Sequence, residues 1–245
     1  MPMPTETQQL IQQALETVRN DPGHHLSLAT RFELYKSFGP SRIGHFWQDS
    51  PFKDVPSVQY FERMVALWTI ADFSLGWLAV VTAQKVAHFW DENEENKDIV
   101  NEILQTAENV LLGRADLEEA YRKLCNDFNW PLELSTNLNA GCAYREAYFS
   151  LCTILDDMID YFEQSYPEYY GEIHIDDVVG VVGMFATLAV KAYSAVYIDP
   201  KSIVIANNET MVYVEFDPQK RLEFWEWWLM EAIPQAWELA EMNSK

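Results

Sequence analysis

The sequence predicts an all-α protein, a multi-helix orthogonal or bundle domain that carries one small β-hairpin near residues 203–216. Three observations point there. Apolar residues recur at three- and four-residue spacing through most of the chain, the period of an amphipathic helix. The breaks between these stretches hold helix-stopping chemistry, such as Asn20-Asp21-Pro22-Gly23 and Gly113. One stretch, Ile203 to Phe216, changes instead to β-branched and aromatic runs.

A first helix is predicted over Glu6–Val18, and a second over Leu26–Ser37. From Phe38 to Ser57, Gly39, Pro40, Gly44, Pro51 and Pro56 leave room only for short turns, with Ile43, Phe46 and Trp47 as aromatic and apolar anchors. Val58–Trp90 is predicted as one long helix or two collinear ones, closed by the acidic run Asp91-Glu92-Asn93-Glu94-Glu95-Asn96. Val100, Ile103, Leu104, Ala107, Val110 and Leu111 stripe the next helix, which Gly113 stops. Asp116 and Glu119 then stand at capping-box spacing before Leu117, Ala120, Tyr121, Leu124 and Phe128. Leu138 to Phe162 describes a long amphipathic helix, and Asp176–Tyr197 an almost wholly apolar one in which Gly180 and Gly183 permit close helix approach. In the hairpin, Ile203-Val204-Ile205 and Met211-Val212-Tyr213-Val214 flank Asn207-Asn208, a turn-forming pair. The last helix, Asp217–Met242, buries Leu222, Trp225, Trp228, Leu229, Ala232, Ile233, Ala236 and Ala240, and Pro234 kinks it by removing a backbone donor. We divide the chain into an N-terminal helix and turn over 1–25 and a single helical domain over 26–245.

Composition narrows the function. Seventeen Lys and Arg against 38 Asp and Glu leave a formal charge of −21, which repels nucleic acid and anionic membranes. At 49% hydrophobic residues the chain has enough apolar side chain to build a core rather than a disordered acidic tail. Cys125, Cys142 and Cys152 are an odd set without Cys-x-x-Cys spacing, which fits buried small hydrophobes in a reducing compartment. The first residues lack the basic flank and apolar run of a secretory signal, and the apolar window Met64–Val81 contains Asp72, Ser74 and Gly76, so a buried helix is expected rather than a membrane span. These features predict a cytoplasmic protein.

The sharpest chemical motif is Asp156-Asp157-Met158-Ile159-Asp160, the Asp-Asp-x-x-Asp pattern with which class I prenyltransferases and terpene synthases hold magnesium against a diphosphate. On a wheel of roughly 100° per residue with Leu155 at zero, Asp156, Asp160 and Asp157 fall near roughly 100°, 140° and 200°. They therefore point away from their own helix's apolar face, no second acidic motif lies opposite, and cations to neutralise a diphosphate are scarce. A solvated acidic face explains them better. A magnesium-dependent enzyme acting on a phosphorylated or diphosphorylated substrate through Asp156, Asp157 and Asp160 is the alternative reading. His24, His25, His45, His88 and His174 sit in no recognised metal-ligand spacing, and no nucleophile elbow or phosphate loop occurs. No catalysis and no cofactor are expected.

The last helix offers a binding surface instead. Its apolar stripe centres between Trp225 and Leu229, which leaves Trp227 almost opposite, with Glu223, Phe224 and Glu231 near it. Such a face is either covered by a second layer of helices or exposed as aromatic anchors within an acidic rim, suited to a basic protein partner. The sequence leaves open whether the chain self-associates through this helix into a homo-oligomer.

Three stretches carry a family resemblance: Thr82-Ala-Gln-Lys-Val-Ala-His-Phe-Trp90, the segment Ile103–Ala120 with Leu111-Leu112-Gly113, and Arg221-Leu-Glu-Phe-Trp-Glu-Trp-Trp-Leu-Met-Glu-Ala-Ile-Pro-Gln-Ala-Trp237. Together they resemble the all-helical immunity proteins catalogued as family five in bacterial polymorphic toxin systems. The resemblance spans about Leu26 to Trp237, with the last stretch its most specific part. It implies a non-enzymatic cytoplasmic protein that binds and neutralises a cognate toxin, without a cofactor. It transfers no contact residues, so Glu223, Phe224, Trp227 and Glu231 rest on the wheel alone. An acidic globule would steer towards a basic toxin, and −21 exceeds the roughly 2 to 8 charges that solubility needs in a small domain.

Overall fold

The computed structural model describes residues 1–40, 68–91, 98–128, 138–155, 186–197, 204–206, 209–211 and 214–243. Its helices are α1 (Thr5–Asn20), α2 (Leu28–Ser37), α3 (Ile70–Val86), α4 (His88–Asp91), α5 (Ile99–Leu111), α6 (Leu117–Asn126), α7 (Leu138–Leu155), α8 (186–194), α9 (Pro218–Trp227) and α10 (Ile233–Asn243). The fold is all-α with a small antiparallel hairpin, as the sequence predicts.

Helix α3 is the hub. Thirteen of its 17 residues are buried, so it has no polar face, and it packs against α10, α7 and α5. Thr69 caps it: the Thr69 hydroxyl accepts the Asp72 N–H while the Asp72 carboxylate accepts the Thr69 N–H at 2.6 Å. This box rules out the single continuous helix, one of the two forms predicted over Val58–Trp90. The helix starts at Ile70, and Ala87 separates it from the short α4, whereas residues 58–67 lie outside the described residues. Asp72 therefore serves a helix start and not the middle of an apolar span. Among the described residues no helix is long and apolar enough to cross a membrane.

Close approach of α3 to α5 depends on Gly76, where a Cβ would stand 2.7 Å from Leu111 Cδ2. Helix α5 ends where Gly113 adopts φ +63° and donates to Val110, a conformation that a side chain would strain. At the start of α6 the Asp116 carboxylate accepts the Glu119 N–H, but Glu119 turns its own carboxylate to Arg122 at 2.8 and 2.9 Å, so the cap is single rather than reciprocal. Ile11, Ala14, Leu15 and Val18 of α1 belong to the same core as α3 and α7, and Thr7 ties α1 to α2 by donating to the Ser37 carbonyl.

The predicted apolar helix over Asp176–Tyr197 is corrected at its end. Residues 186–194 are helical, but Ala195–Tyr197 form strand β1, which pairs antiparallel with β4 (Val214–Phe216). Between β1 and β4 in the chain come β2 (Val204–Ala206) and β3 (Glu209–Met211), an antiparallel pair with Ala206 opposite Glu209; the predicted turn residues Asn207 and Asn208 lie outside the described residues. The two strand pairs form two separate two-stranded sheets, and β1 lies outside the predicted runs. Gly180, Gly183, Phe162, Ile43, Phe46, Trp47 and the acidic loop 92–96 lie outside the described residues.

The last helix is two helices joined by a π-helical turn, Trp228–Ala232, in which the Ile233 N–H reaches back to the Trp228 carbonyl. Pro234 has no N–H to offer the preceding turn, and a widened turn just upstream redistributes the carbonyls that it leaves. The predicted disturbance at Pro234 is accompanied by this π-helical turn, which ends two residues before it. Trp228 is fully buried, with its indole N–H donated to Thr82 Oγ1 at 3.0 Å and its ring edge-on to Tyr35 and Trp225.

Candidate functional site

Helix α9 starts at a strong cap. Asp217 Oδ1 accepts from the Gln219 and Lys220 N–H groups, Pro218 occupies the first turn, and the Asp217 N–H bonds the Ser194 carbonyl at the end of α8. The helix is thereby fixed against α8. Arg221 adds a tie to the α1–α2 corner, donating to the Gly23 carbonyl at 2.9 Å and to His25 Nε2 at 2.7 Å, while His25 Nδ1 faces the Asp21 carboxylate at 2.9 Å.

Those contacts decide what α9 presents. Phe224 is 0% exposed, packed between Tyr193 of α8 at 5.9 Å, Trp225 at 5.2 Å and Trp227 at 5.6 Å between ring centroids. The wheel put Phe224 off its own helix's stripe, but α8 covers that side, so Phe224 backs the surface and does not contact a partner in this conformation. Trp227 is half-buried against the core, and Glu223 and Glu231 are exposed. Glu223 lies one turn before Trp227 and accepts from Gln219 at 3.3 Å; Glu226, on the adjacent face, is held by Arg19 at 2.6 Å.

The surface around Trp227 includes three residues, Lys85, Tyr193 and Phe89, that the sequence did not single out. Lys85 Nζ lies 4.7 Å from the Trp227 ring centroid and 5.7 Å from that of Tyr193. Beyond Tyr193 the row continues through Phe89, 6.4 Å away and edge-on, to the exposed His88. Lys85, Tyr193, Phe89 and Trp227 are all half-buried, so the row is a partly exposed aromatic surface built by α3, α4, α8 and α9. No local spacing links residues 85, 193 and 227; only the position of Lys85 and Phe89 within the Thr82–Trp90 stretch hinted at it.

Behind this surface sits a buried polar cluster. Glu146 of α7 is fully buried and accepts the Ala189 N–H of α8 at 2.9 Å, and burial holds its carboxyl well above the ordinary range despite that bond and the nearby Arg31. Arg31, itself buried, lies 5.6 Å over the Trp225 ring, and burial also pushes the Tyr35 hydroxyl up. Tyr35, Thr82, Trp228 and Ala186 help line a void of about 10 Å³, room for a single water and no substrate.

Among the described residues no group of three or more His, Cys, Asp and Glu is placed to hold a metal ion. Asp156, Asp157 and Asp160 lie outside the described residues, as do His45 and His174. Cys142 and Cys152 are buried, and burial pushes the Cys142 thiol up to about 11, which suits the inert role expected of them.

Residues 11–149, more than half of the chain, match the family described as Immunity protein Imm5. No curated protein matches the chain. The matched span runs from within α1 to within α7 and takes in two of the three stretches that carry the resemblance. The third, 221–237, lies beyond it, so Glu223, Phe224, Trp227 and Glu231 draw no support from the match.

Proposed function

Because the chain belongs to the Immunity protein Imm5 family, we propose that it is a non-enzymatic protein which neutralises a cognate toxin by binding it in the cytoplasm of the cell that carries both. Family membership is the observation that carries this reading. The formal charge of −21 supports a basic toxin, because long-range attraction raises the encounter rate of oppositely charged partners. The surface we assign to the contact is the α9 face bearing Glu223, Trp227 and Glu231, with Phe224 fixing the Trp227 ring from behind. A half-buried tryptophan between exposed carboxylates is the arrangement that anchors protein interfaces: the ring supplies area with little conformational entropy to lose, and the acids set orientation.

The test is the complex isolated at low salt from the native host. A stoichiometric complex with a basic protein that dissociates as salt rises is the expected result. Reversing Glu223 and Glu231 to lysine should slow association more than it speeds dissociation. Trp227→Ala should raise the off-rate about 30-fold, equivalent to about 2 kcal/mol. A complex indifferent to salt, with rates unmoved by these substitutions, would refute the assignment.

A further inference from the structure

The position of Lys85 carries the most information about what the surface binds. Two rings from distant parts of the chain, Trp227 and Tyr193, flank its ammonium at 4.7 and 5.7 Å. The negative faces of aromatic rings attract a cation, best of all over tryptophan. Phe224 lies between the two rings, 5.6 Å from Trp227 and 5.9 Å from Tyr193, so the pair is braced from the core side. Trp227, Tyr193 and Lys85 are all half-buried, so the pair of rings is reachable from solvent. Glu223, exposed one turn before Trp227, adds a negative charge at its rim.

We propose that the Trp227–Tyr193 pair is a seat for an arginine side chain of the partner, and that Lys85 occupies it in the free protein as an intramolecular stand-in. This deepens the toxin-binding reading and rests on it. Arginine suits the seat better than lysine, because its planar guanidinium stacks on an aromatic face and sheds water more readily than an ammonium. In a chain of charge −21 the incoming group is cationic by complementarity, and the seat supplies the short-range selectivity that net charge alone does not. Binding must displace Lys85, which then competes with the partner.

The consequence has an unusual sign. Removing a positive charge anywhere on the protein helps a cationic partner slightly through long-range attraction, but removing Lys85 also frees the seat. The control is Lys191→Ala, an equal charge change at an exposed residue of α8 two positions before Tyr193. With a peptide of eight arginines as probe, measured by titration calorimetry at fixed salt, Lys85→Ala should tighten binding about two- to five-fold more than Lys191→Ala does. Trp227→Leu and Tyr193→Leu should each weaken binding, and a peptide of eight lysines should gain less from Lys85→Ala than the arginine peptide. Lys85→Ala keeps both rings, so the comparison stands even where a ring variant fails to fold. Equal effects of Lys85→Ala and Lys191→Ala would overturn the seat while leaving a salt-dependent toxin complex intact. Weaker binding by Lys85→Ala would also overturn it and make Lys85 itself a contact. Absence of any salt-sensitive complex with a basic protein would instead remove the toxin-binding reading.

Discussion

Replacing Gly76 by alanine separates two explanations of why the hub helix carries a glycine. A Cβ at this position would stand 2.7 Å from Leu111 Cδ2 and 3.5 Å from Ile154 Cγ1, against about 3.5 to 4.0 Å for relaxed carbon contacts. Leu111 and Ile154 are both buried, so the shortfall of about 1 Å must be met by shifting a packed leucine or separating α3 from α5. Overpacking of this kind costs about 1 to 3 kcal/mol, whereas the better helix propensity of alanine returns about 1 kcal/mol. Gly76→Ala should therefore destabilise by about 1 kcal/mol, read as a lower urea midpoint at unchanged slope. The decisive background is Leu111→Ala, which alone should cost about 2 to 5 kcal/mol by leaving a cavity. Within it the same Gly76→Ala change should stabilise by about 1 kcal/mol, since the methyl enters vacated space and the propensity gain remains. An equal gain in both backgrounds would show that Leu111 yields freely, and the close-approach account of Gly76 would fail.

Two further substitutions probe how the surface is held. Asp217→Ala should cost about 0.5 to 2 kcal/mol by stripping the α9 cap, while Asp217→Asn keeps most of it; equal urea midpoints for the two would remove the cap from the account. Glu146 holds its proton above the ordinary carboxyl range because it is buried. Between the unfolded carboxyl value of about 4.3 and the raised folded value, the folded state binds the extra proton, so stability falls as pH rises through that window. Glu146→Gln keeps an acceptor for the Ala189 N–H and does not titrate, so its stability should be flatter with pH above about 4.3; parallel profiles for variant and wild type would contradict a raised Glu146.

The sequence made legible those elements whose causes are local. Val100 to Leu111 shows its period and its glycine stop within a few turns, and α5 forms there. Thr69 and Asp72 were equally local, but the apolar window around them masked a capping box with aspartate at its third position. Strand β1 was not legible, because Ala195–Tyr197 is extended through pairing with Val214–Phe216, and an alanine-rich helix flowing into it has no stop signal of its own. Pro234 announced a disturbance. Its form, a π turn beginning six residues earlier, depends on which carbonyls the surrounding core could satisfy.

The candidate surface follows the same division, and that bears on how it works. A helical wheel sorts α9 by its own stripe, so it separates Trp227 from Trp225 and Leu229, but it cannot see α8, which covers Phe224 and leaves Trp227 at the edge. The location of α8 is set in turn by α7. Asn139 donates to the Ala192 carbonyl at 2.8 Å and Glu146 accepts the Ala189 N–H, two polar side chains seven residues apart on one face of a buried helix. These bonds satisfy backbone groups of α8 that are buried away from water, and a buried bond of this kind is costly to break. They thereby fix the helix from which Tyr193 reaches Lys85. The ring pair at the surface is thus aligned by hydrogen bonds made in the core, which is why residues 85, 193 and 227 meet without any sequence pattern that joins them.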